Sequence, residues 1–469
     1  MLGDFWGFVE FVAYLCSHFA WLVNMKQIKE ILKIGVPIML GQACVIIVAF
    51  ADNIMIGWHN VDELAAASFV NNVLNLVILM GLGFSTGLTP MIGAFNGVND
   101  VKSIGSTMKN GILVNGVIGL ASLVVLSVIY CFLDRFGQAP ELLPLIRPYF
   151  IIVGISSFFQ LGFNVLKQFT DGMRQPVVSM VFLIIGNVVN IFGNWVLIYG
   201  KLGFPELGLN GAGLSTLLAR ALMLGMFALY VFKGKKFRQH VAAFKASHLS
   251  KGRMKHIFSM GYPVAIQNGL EASTFSFSAI MIGWLGVVEL AAHQVVTTIS
   301  LLFFLLIQGL SFAVSILVSN SYGKKDFDGV RKYTKKGFLM MLTISATLSA
   351  LLYIFRFPAA GIFTDSTEVA SIAVSLFFLL FAYQFGDDLQ LCYSCVLRGI
   401  QDVKPIMYCA FISYYLVAIP CSYFLGFKAG LGIQGIWLGL PIGLTLAGIF
   451  FFFRFRYDMR RMSSGVAMK

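Results

Sequence analysis

Twelve apolar blocks of roughly 20 residues or more follow one another along the chain, and each has the length a helix needs to cross a bilayer. They lie near 34–57, 66–95, 111–133, 149–170, 176–199, 209–232, 257–283, 290–319, 337–355, 370–396, 405–427 and 431–453. In hydrocarbon, backbone N–H and C=O groups find no water, so such blocks satisfy themselves internally as helices. Composition agrees: of 469 residues, 58% are hydrophobic and only 12% are charged, where a soluble domain carries about a quarter. The expected fold class is an all-α polytopic membrane protein with twelve transmembrane helices, and the lipid bilayer is its first partner.

The net charge of +13 would suit nucleic acid, so its placement decides its meaning. With the N-terminal side of the first span in the cytoplasm, 27 of the 34 Lys and Arg fall on cytoplasmic segments. Arg135, Arg147, Lys201, Arg356 and Lys428 fall outside, and Lys167 and Arg220 fall within spans. This asymmetry is the positive-inside rule. Basicity therefore reports topology, with both termini cytoplasmic, and no nucleic-acid partner is expected. The apolar run FWGFVEFVAYLCSHFAWLV (5–23) contains Glu10 and His18 and lacks the basic start and cleavage site of a signal peptide. The expected functional start is Met25, leaving 1–24 as an N-terminal apolar extension. Cys392 and Cys395 form a CxxC inside a span with no second ligand pair, which reads as helix packing rather than redox or zinc chemistry.

The chain also repeats itself. Shifted by 226 residues, IMIGWHNVDELAA (54–66) faces IMIGWLGVVELAA (280–292), with ten of thirteen positions identical. Gly35 and Pro37 match Gly261 and Pro263, Gly83 matches Gly309, and Gly97 and Asp100 match Gly323 and Asp326. Shared hydrophobicity does not reproduce Trp, Glu and Gly at fixed offsets, so this is a duplication. Six spans separate equivalent points, which makes the halves parallel repeats, an architecture that places substrate between lobes that rock. The expected domains are an N-terminal six-helix lobe (25–232), a basic cytoplasmic linker (233–255), a C-terminal six-helix lobe (256–455) and a basic cytoplasmic tail (456–469). The linker is expected near anionic lipid headgroups.

Four acids lie well inside spans: Asp52, Glu271, Asp387 and Asp388. An ionisable group there costs about 2.5–3.5 kcal/mol on insertion scales, so it is kept for a use or a partner. Gln267, Glu271, Thr274 and Ser278 share one helix face, Tyr383 precedes Asp387 by one turn, and Asn187, Asn190 and Asn194 form another single-face stripe. Interhelical hydrogen bonding alone would explain the Asn stripe equally well. No span-interior Lys or Arg obviously neutralises both Glu271 and Asp387. Asp387 and Asp388 point about 100° apart, so they should not share one site. Lys167 and Arg220 are expected to pair with Asp171 or a helix end. The duplicate of Asp52 is Ser278 and that of Glu271 is Val45, so the halves carry their acids at different heights.

Taken together, GVPIMLGQ…AFADNIMIG, LNGAG (209–213), GYPVAIQNGLEAS, ELAAHQV, YQFGDDLQ…VLRGIQDVKP and FISYYLVAIP resemble the multidrug and toxic compound extrusion (MATE) family, within it the NorM-like bacterial branch. The resemblance runs from about Met25 to about residue 455. It implies two six-helix bundles around a central cavity, alternating access, and export of lipophilic, often cationic compounds in exchange for Na⁺ or H⁺. It also implies a monomer in the bacterial cytoplasmic (inner) membrane, with no cofactor and no enzymatic reaction. By motif, Glu271 and Asp387 resemble the second-lobe cation-site acids, where Na⁺ would bind, with Tyr383 beside them. Asp52 resembles the first-lobe acid, with Asn190 and Asn194 around it. Gln267 and Asp388 are accessory candidates, and Asp388 departs from the pattern of close relatives, which carry a small neutral residue there. The 45 Phe and 20 Met suit a pliable cavity for amphiphilic cations. A lipid-linked oligosaccharide flippase of the same superfamily would favour cations for its phosphate, and this cavity is acidic. A membrane-embedded enzyme would need clustered nucleophiles or metal ligands, which six His in all do not supply.

Overall fold

The computed structural model describes residues 26–364 and 366–464; the extension expected at 1–24 and the end of the basic tail lie outside the described residues. The helices are α1 (Lys26–His59), α2 (Val61–Thr86), α3 (Leu88–Gly97), α4 (Val101–Cys131), α5 (Leu143–Gly172), α6 (Pro176–Ile198), α7 (Gly208–Lys233) and α8 (Arg238–Ala246). They continue as α9 (Lys251–Gly283), α10 (Val287–Gly323), α11 (Phe327–Ile354), α12 (Arg356–Gly361), α13 (Thr367–Gly399), α14 (Lys404–Phe411), α15 (Ile419–Tyr423) and α16 (Gly432–Ser463). All twelve expected spans fall on helix. Eleven helical stretches among the described residues are long and apolar enough to cross a membrane, α2 with α3 and the stretch from α14 to Lys428 counting as one each. The twelfth expected span, within α9, is less apolar because Gln267, Asn268 and Glu271 lie in it.

On α6, Asn190 and Asn194 are buried while Val188, Phe192 and Trp195 are exposed. Lipid is as apolar as a leucine side chain, so the polar stripe is what turns inward. Two π-helical turns, Ile412–Ala418 and Phe424–Lys428, flank Pro420. A proline inside a helical run has no N–H to give and crowds the carbonyl one turn earlier, and a widened turn accommodates both.

The chain forms two compact units: Leu40–Gly269, and the residues up to Met39 together with those from Leu270 onward. Within the first, a Cβ on Gly261 would lie 2.7 Å from the Phe84 carbonyl oxygen, and one on Gly83 would lie 3.2 Å from Ala265 Cα. Within the second, a Cβ on Gly309 would lie 2.9 Å from the Met39 nitrogen, and one on Gly35 would lie 3.6 Å from Leu310 Cα. Every glycine of the second pair is 226 positions from a glycine of the first. Each unit thus contains the same close helix–helix approach, tightest against backbone at Gly261 in one and Gly309 in the other, where a side chain would not fit without a shift.

The duplication extends to turns. Asn99 and Lys325, again 226 apart, both have positive φ, at 55° and 59°. The next residue in each repeat caps a helix: Asp100 Oδ1 accepts from Ser103 N (3.0 Å) and Asp326 Oδ1 from Gly329 N (2.8 Å). Each such cap is worth about 1 kcal/mol. The Ser103 hydrogen bond also holds the Asp100 carboxyl below the usual carboxylate range. The segment expected as a linker is folded. Lys109 Nζ donates to Ser247 O (2.6 Å), Arg253 Nη1 to Thr107 Oγ1 (2.7 Å), and Ser250 N to Asn110 Oδ1 (2.9 Å). Gly105 gives α8 room, since a Cβ there would meet Phe244 N at 2.6 Å.

Candidate functional site

In the 40–269 unit the Asn stripe of α6 closes on Asp52 of α1. Asn194 Nδ2 donates to Asp52 Oδ1 at 2.5 Å. The Asn190 amide, oriented to satisfy both ends, donates to the same oxygen at 2.9 Å and accepts from Thr216 N (3.3 Å) and Thr216 Oγ1 (3.2 Å). Ser215 Oγ donates to the Asn190 carbonyl (2.7 Å), fixing α7 against α6. Asn187, the third member of the stripe, makes no hydrogen bond through its buried Nδ2 among the described residues. Tyr149 of α5, with Asn71 beside its hydroxyl, lies within electrostatic reach of Asp52. Lys167 pairs with Asp171 at 2.9 Å, as expected. Arg220 departs from expectation: it reaches neither Asp171 nor a helix end. Its Nη1 donates to Ser156 Oγ (2.7 Å), and its charge acts on Asp52 and Tyr149. The reason is packing: α7 lies against both α5 and α6, which turns this part of the helix inward.

In the other unit, Glu271 Oε2 accepts from Gln390 Nε2 at 3.2 Å. Tyr383, Asp387 and Glu271 lie within electrostatic reach of one another. Tyr383 is buried, with Ser300 beside its hydroxyl and its ring 6.2 Å from those of Phe275 and Trp437. Asp388 faces elsewhere and accepts from Ser345 Oγ of α11 (2.8 Å). Asp387 and Asp388 are 1% and 0% exposed, so neither carboxylate relies on bulk water. Gln267 lies one turn before Glu271 on α9, in the other compact unit, and is buried. Cys392 and Cys395 are free thiols packed in α13.

Sequence reasoning missed four members of these clusters: Gln390, Tyr414, Arg398 and Tyr149. Gln390 follows Asp387 by three residues and so shares its face, a signal that was available. Tyr414 sits in a π-helical turn, buried within electrostatic reach of Glu271, Asp387 and Tyr383. Its helix phase there departs from the 3.6-residue period. Arg398, at the end of α13, acts electrostatically on Glu271, so a span-end arginine is available after all. Among the described residues no group of three or more His, Cys, Asp and Glu side chains is arranged to hold a metal ion. Any hard cation at Glu271 and Asp387 would complete its shell with phenol and amide oxygens, donors that suit such ions.

A family model described as MatE matches residues 37–196 and 263–424, one stretch in each repeat. The multidrug resistance protein NorM of Photobacterium profundum is 29% identical over 439 residues, covering 92% of this chain and 96% of that protein. The NorM of Vibrio cholerae serotype O1 is 29% identical over 433 residues, covering 90% and 94%. Among solved structures, a crystal structure of MATE in the bent conformation superposes with a TM-score of 0.86 at 19% identity, covering 95% of this chain and 98% of that one. An outward-facing multidrug resistance MATE family transporter of the MOP superfamily gives a TM-score of 0.85 at 19% identity, with the same coverage. These last two likenesses speak to the fold.

Proposed function

Because the chain belongs to the MatE family, whose members are transporters rather than enzymes, we propose that it is a cation-coupled antiporter exporting lipophilic, often cationic compounds. The observation that carries this reading is the cluster of Glu271, Asp387 and Tyr383 in one compact unit, with Gln390 donating to Glu271. Two separated carboxylates with phenol and amide oxygens nearby suit Na⁺, and a proton needs only one of them. We therefore assign Na⁺ as the coupling ion, with Glu271, Asp387 and Tyr383 as its site and Asp388 as an accessory. Asp52, with Asn190 and Asn194, forms a separate first-repeat site. Alternating access of the two repeats carries the exchange, in a monomer held in the bacterial cytoplasmic membrane. One elementary charge crossing 100 mV supplies about 2.3 kcal/mol, before any concentration gradient is added.

The test uses proteoliposomes loaded with a fluorescent monovalent cation. An imposed inward Na⁺ gradient at equal pH should drive export, and Glu271→Gln should remove the response. Export that follows only a pH gradient, unchanged by Na⁺, would overturn the Na⁺ assignment and move coupling to Asp52.

A further inference from the structure

At the end of α1 opposite its basic start, a histidine stands between two carboxylates. α1 stops at His59 and α2 starts at Val61, with Asn60 extended between them and its Oδ1 accepting from Asp62 N at 2.7 Å. That tight corner brings Glu63, in the first turn of α2, to the His59 ring, where Nδ1 lies 2.8 Å from Glu63 Oε2. On the other edge of the ring, Nε2 lies 2.9 Å from Oε1 of Glu206, which the α6–α7 connection presents. Gly208, the first residue of α7, has a φ of 52°, and a Cβ there would collide with Glu63 Oε1, so glycine is what admits the carboxylate. A neutral imidazole offers one N–H and one lone pair, and a carboxylate only accepts. A neutral ring between two carboxylates would therefore set one lone pair against another. Both contacts are hydrogen bonds only when the trio holds one further proton, whether the ring or a carboxyl carries it. The carboxylates face opposite edges of the ring, so they do not converge on a metal ion.

We propose that His59, Glu63 and Glu206 form a proton-binding clasp: one proton ties the end of α1 to α2 and to the α6–α7 connection, and its loss releases one of the two contacts. By the distribution of Lys and Arg this is the outer face, so the proton is an external one. Asp52 lies seven residues before His59, about 10 Å along the same helix. α7 carries Ser215 and Thr216, which hold Asn190 beside Asp52. External proton occupancy therefore sets how firmly the Asp52 cluster is closed at its outer end. Tyr199 supplies a second tie that does not need the proton, its hydroxyl donating to Met55 O at 2.7 Å and its ring lying 6.0 Å from that of His59. The Glu206 hydrogen bond outweighs the partial burial of the ring and, with Glu63, raises the His59 pKa above the ordinary histidine value. The clasp is thus whole below about pH 6.5 and is lost as pH rises through that raised value. Other charges nearby do not replace it. Asp62 on α2 is a further acid, Lys201 is exposed, and on α5 Arg147 is closed on Asp134 at 2.7 Å. α6 carries no ionisable residue along its length, and α7 none before Arg220. The positions 226 residues on are Leu285, Glu289 and Gly432, so the second repeat keeps one member of the three. The bearing of the clasp on transport rests on the antiport reading, whereas the proton site is measured without transport, so the two fail separately.

The full chain in lipid nanodiscs, with isotope-labelled histidine rings, is titrated by NMR, and the His59 signal is the one that His59→Gln removes. Its midpoint should lie above about pH 6.5, and Glu206→Gln and Glu63→Gln should each lower it. The Glu206 side chain is 65% exposed, so its variant tests the clasp without disturbing the packing. Hydrogen exchange of the same samples follows the two sides of the clasp, residues 50–60 and 199–207. Protection corrected for the intrinsic exchange rate should fall about two- to fivefold in the wild type as pH passes from below the midpoint to above it. In His59→Gln it should sit at the lower level on both sides. A midpoint at or below about pH 6.5, a midpoint that Glu206→Gln leaves in place, or wild-type protection unchanged across the midpoint overturns the proposal.

Discussion

Asp387 and Asp388 are adjacent in sequence, equally buried and differently employed. Asp388 accepts from Ser345 Oγ at 2.8 Å, while Asp387 shares its surroundings with Glu271 and Tyr383. The roughly 100° between neighbouring helix positions turns Asp388 toward α11 and Asp387 toward the acid cluster. Asp387→Asn and Glu271→Gln are each expected to lower export at least about tenfold, equivalent to about 1.4 kcal/mol, with membrane expression near normal. Asp388→Asn keeps an acceptor for Ser345 and should cost less than about threefold. Export assays at matched expression check this, and a severe Asp388→Asn beside a tolerant Asp387→Asn would exchange the two assignments. The acids themselves were legible because a carboxylate within an apolar run is costly and conspicuous. Of their companions, Gln390 shares a helix face with Asp387 and was legible in that sense, whereas Tyr414 and Arg398 are ordinary residues until packing brings them within electrostatic reach of Glu271.

At the scale of elements, the duplication preserves backbone conformation as faithfully as it preserves letters. The turn before α4 and the turn before α11 each place one residue in the left-handed region, Asn99 in one repeat and Lys325 in the other. Asparagine tolerates that region, whereas lysine bears the steric cost of its Cβ, roughly 1 kcal/mol. Lys325→Asn should therefore stabilise the protein by up to about 1 kcal/mol, read as a higher midpoint of thermal unfolding in detergent. Asn99→Lys should lower it. An unchanged or lower midpoint for Lys325→Asn would mean that the lysine carries a compensating contact. The helices flanking these turns were readable from apolar length alone. The π-helical turns around Pro420 were not, because the sequence shows a helix-breaking residue without saying how the chain relieves it.

For the whole molecule, the distribution of Lys and Arg predicts an orientation that labelling can check. With all seven cysteines replaced, single cysteines at Lys201 and Lys428 should react with a membrane-impermeant maleimide added outside intact cells. Cysteines at Lys245 and Lys325 should react only after the membrane is opened. The reverse pattern would place the termini outside and reverse the reading of charge. The number and place of the membrane helices, the duplication and the intramembrane acids were determined by the sequence itself. Each rests on a local rule: a minimum apolar length, a fixed offset, or the cost of charge in hydrocarbon. Which donors meet which acids was decided by tertiary structure. Asn194 lies 142 residues from Asp52, and Gln390 lies 119 from Glu271. Only the packing of helices brings such distant side chains to hydrogen-bonding range. The same packing assigns the start of α1 and most of α9 to compact units that cross the repeat boundary, because glycines 226 residues apart let those helices approach their neighbours closely.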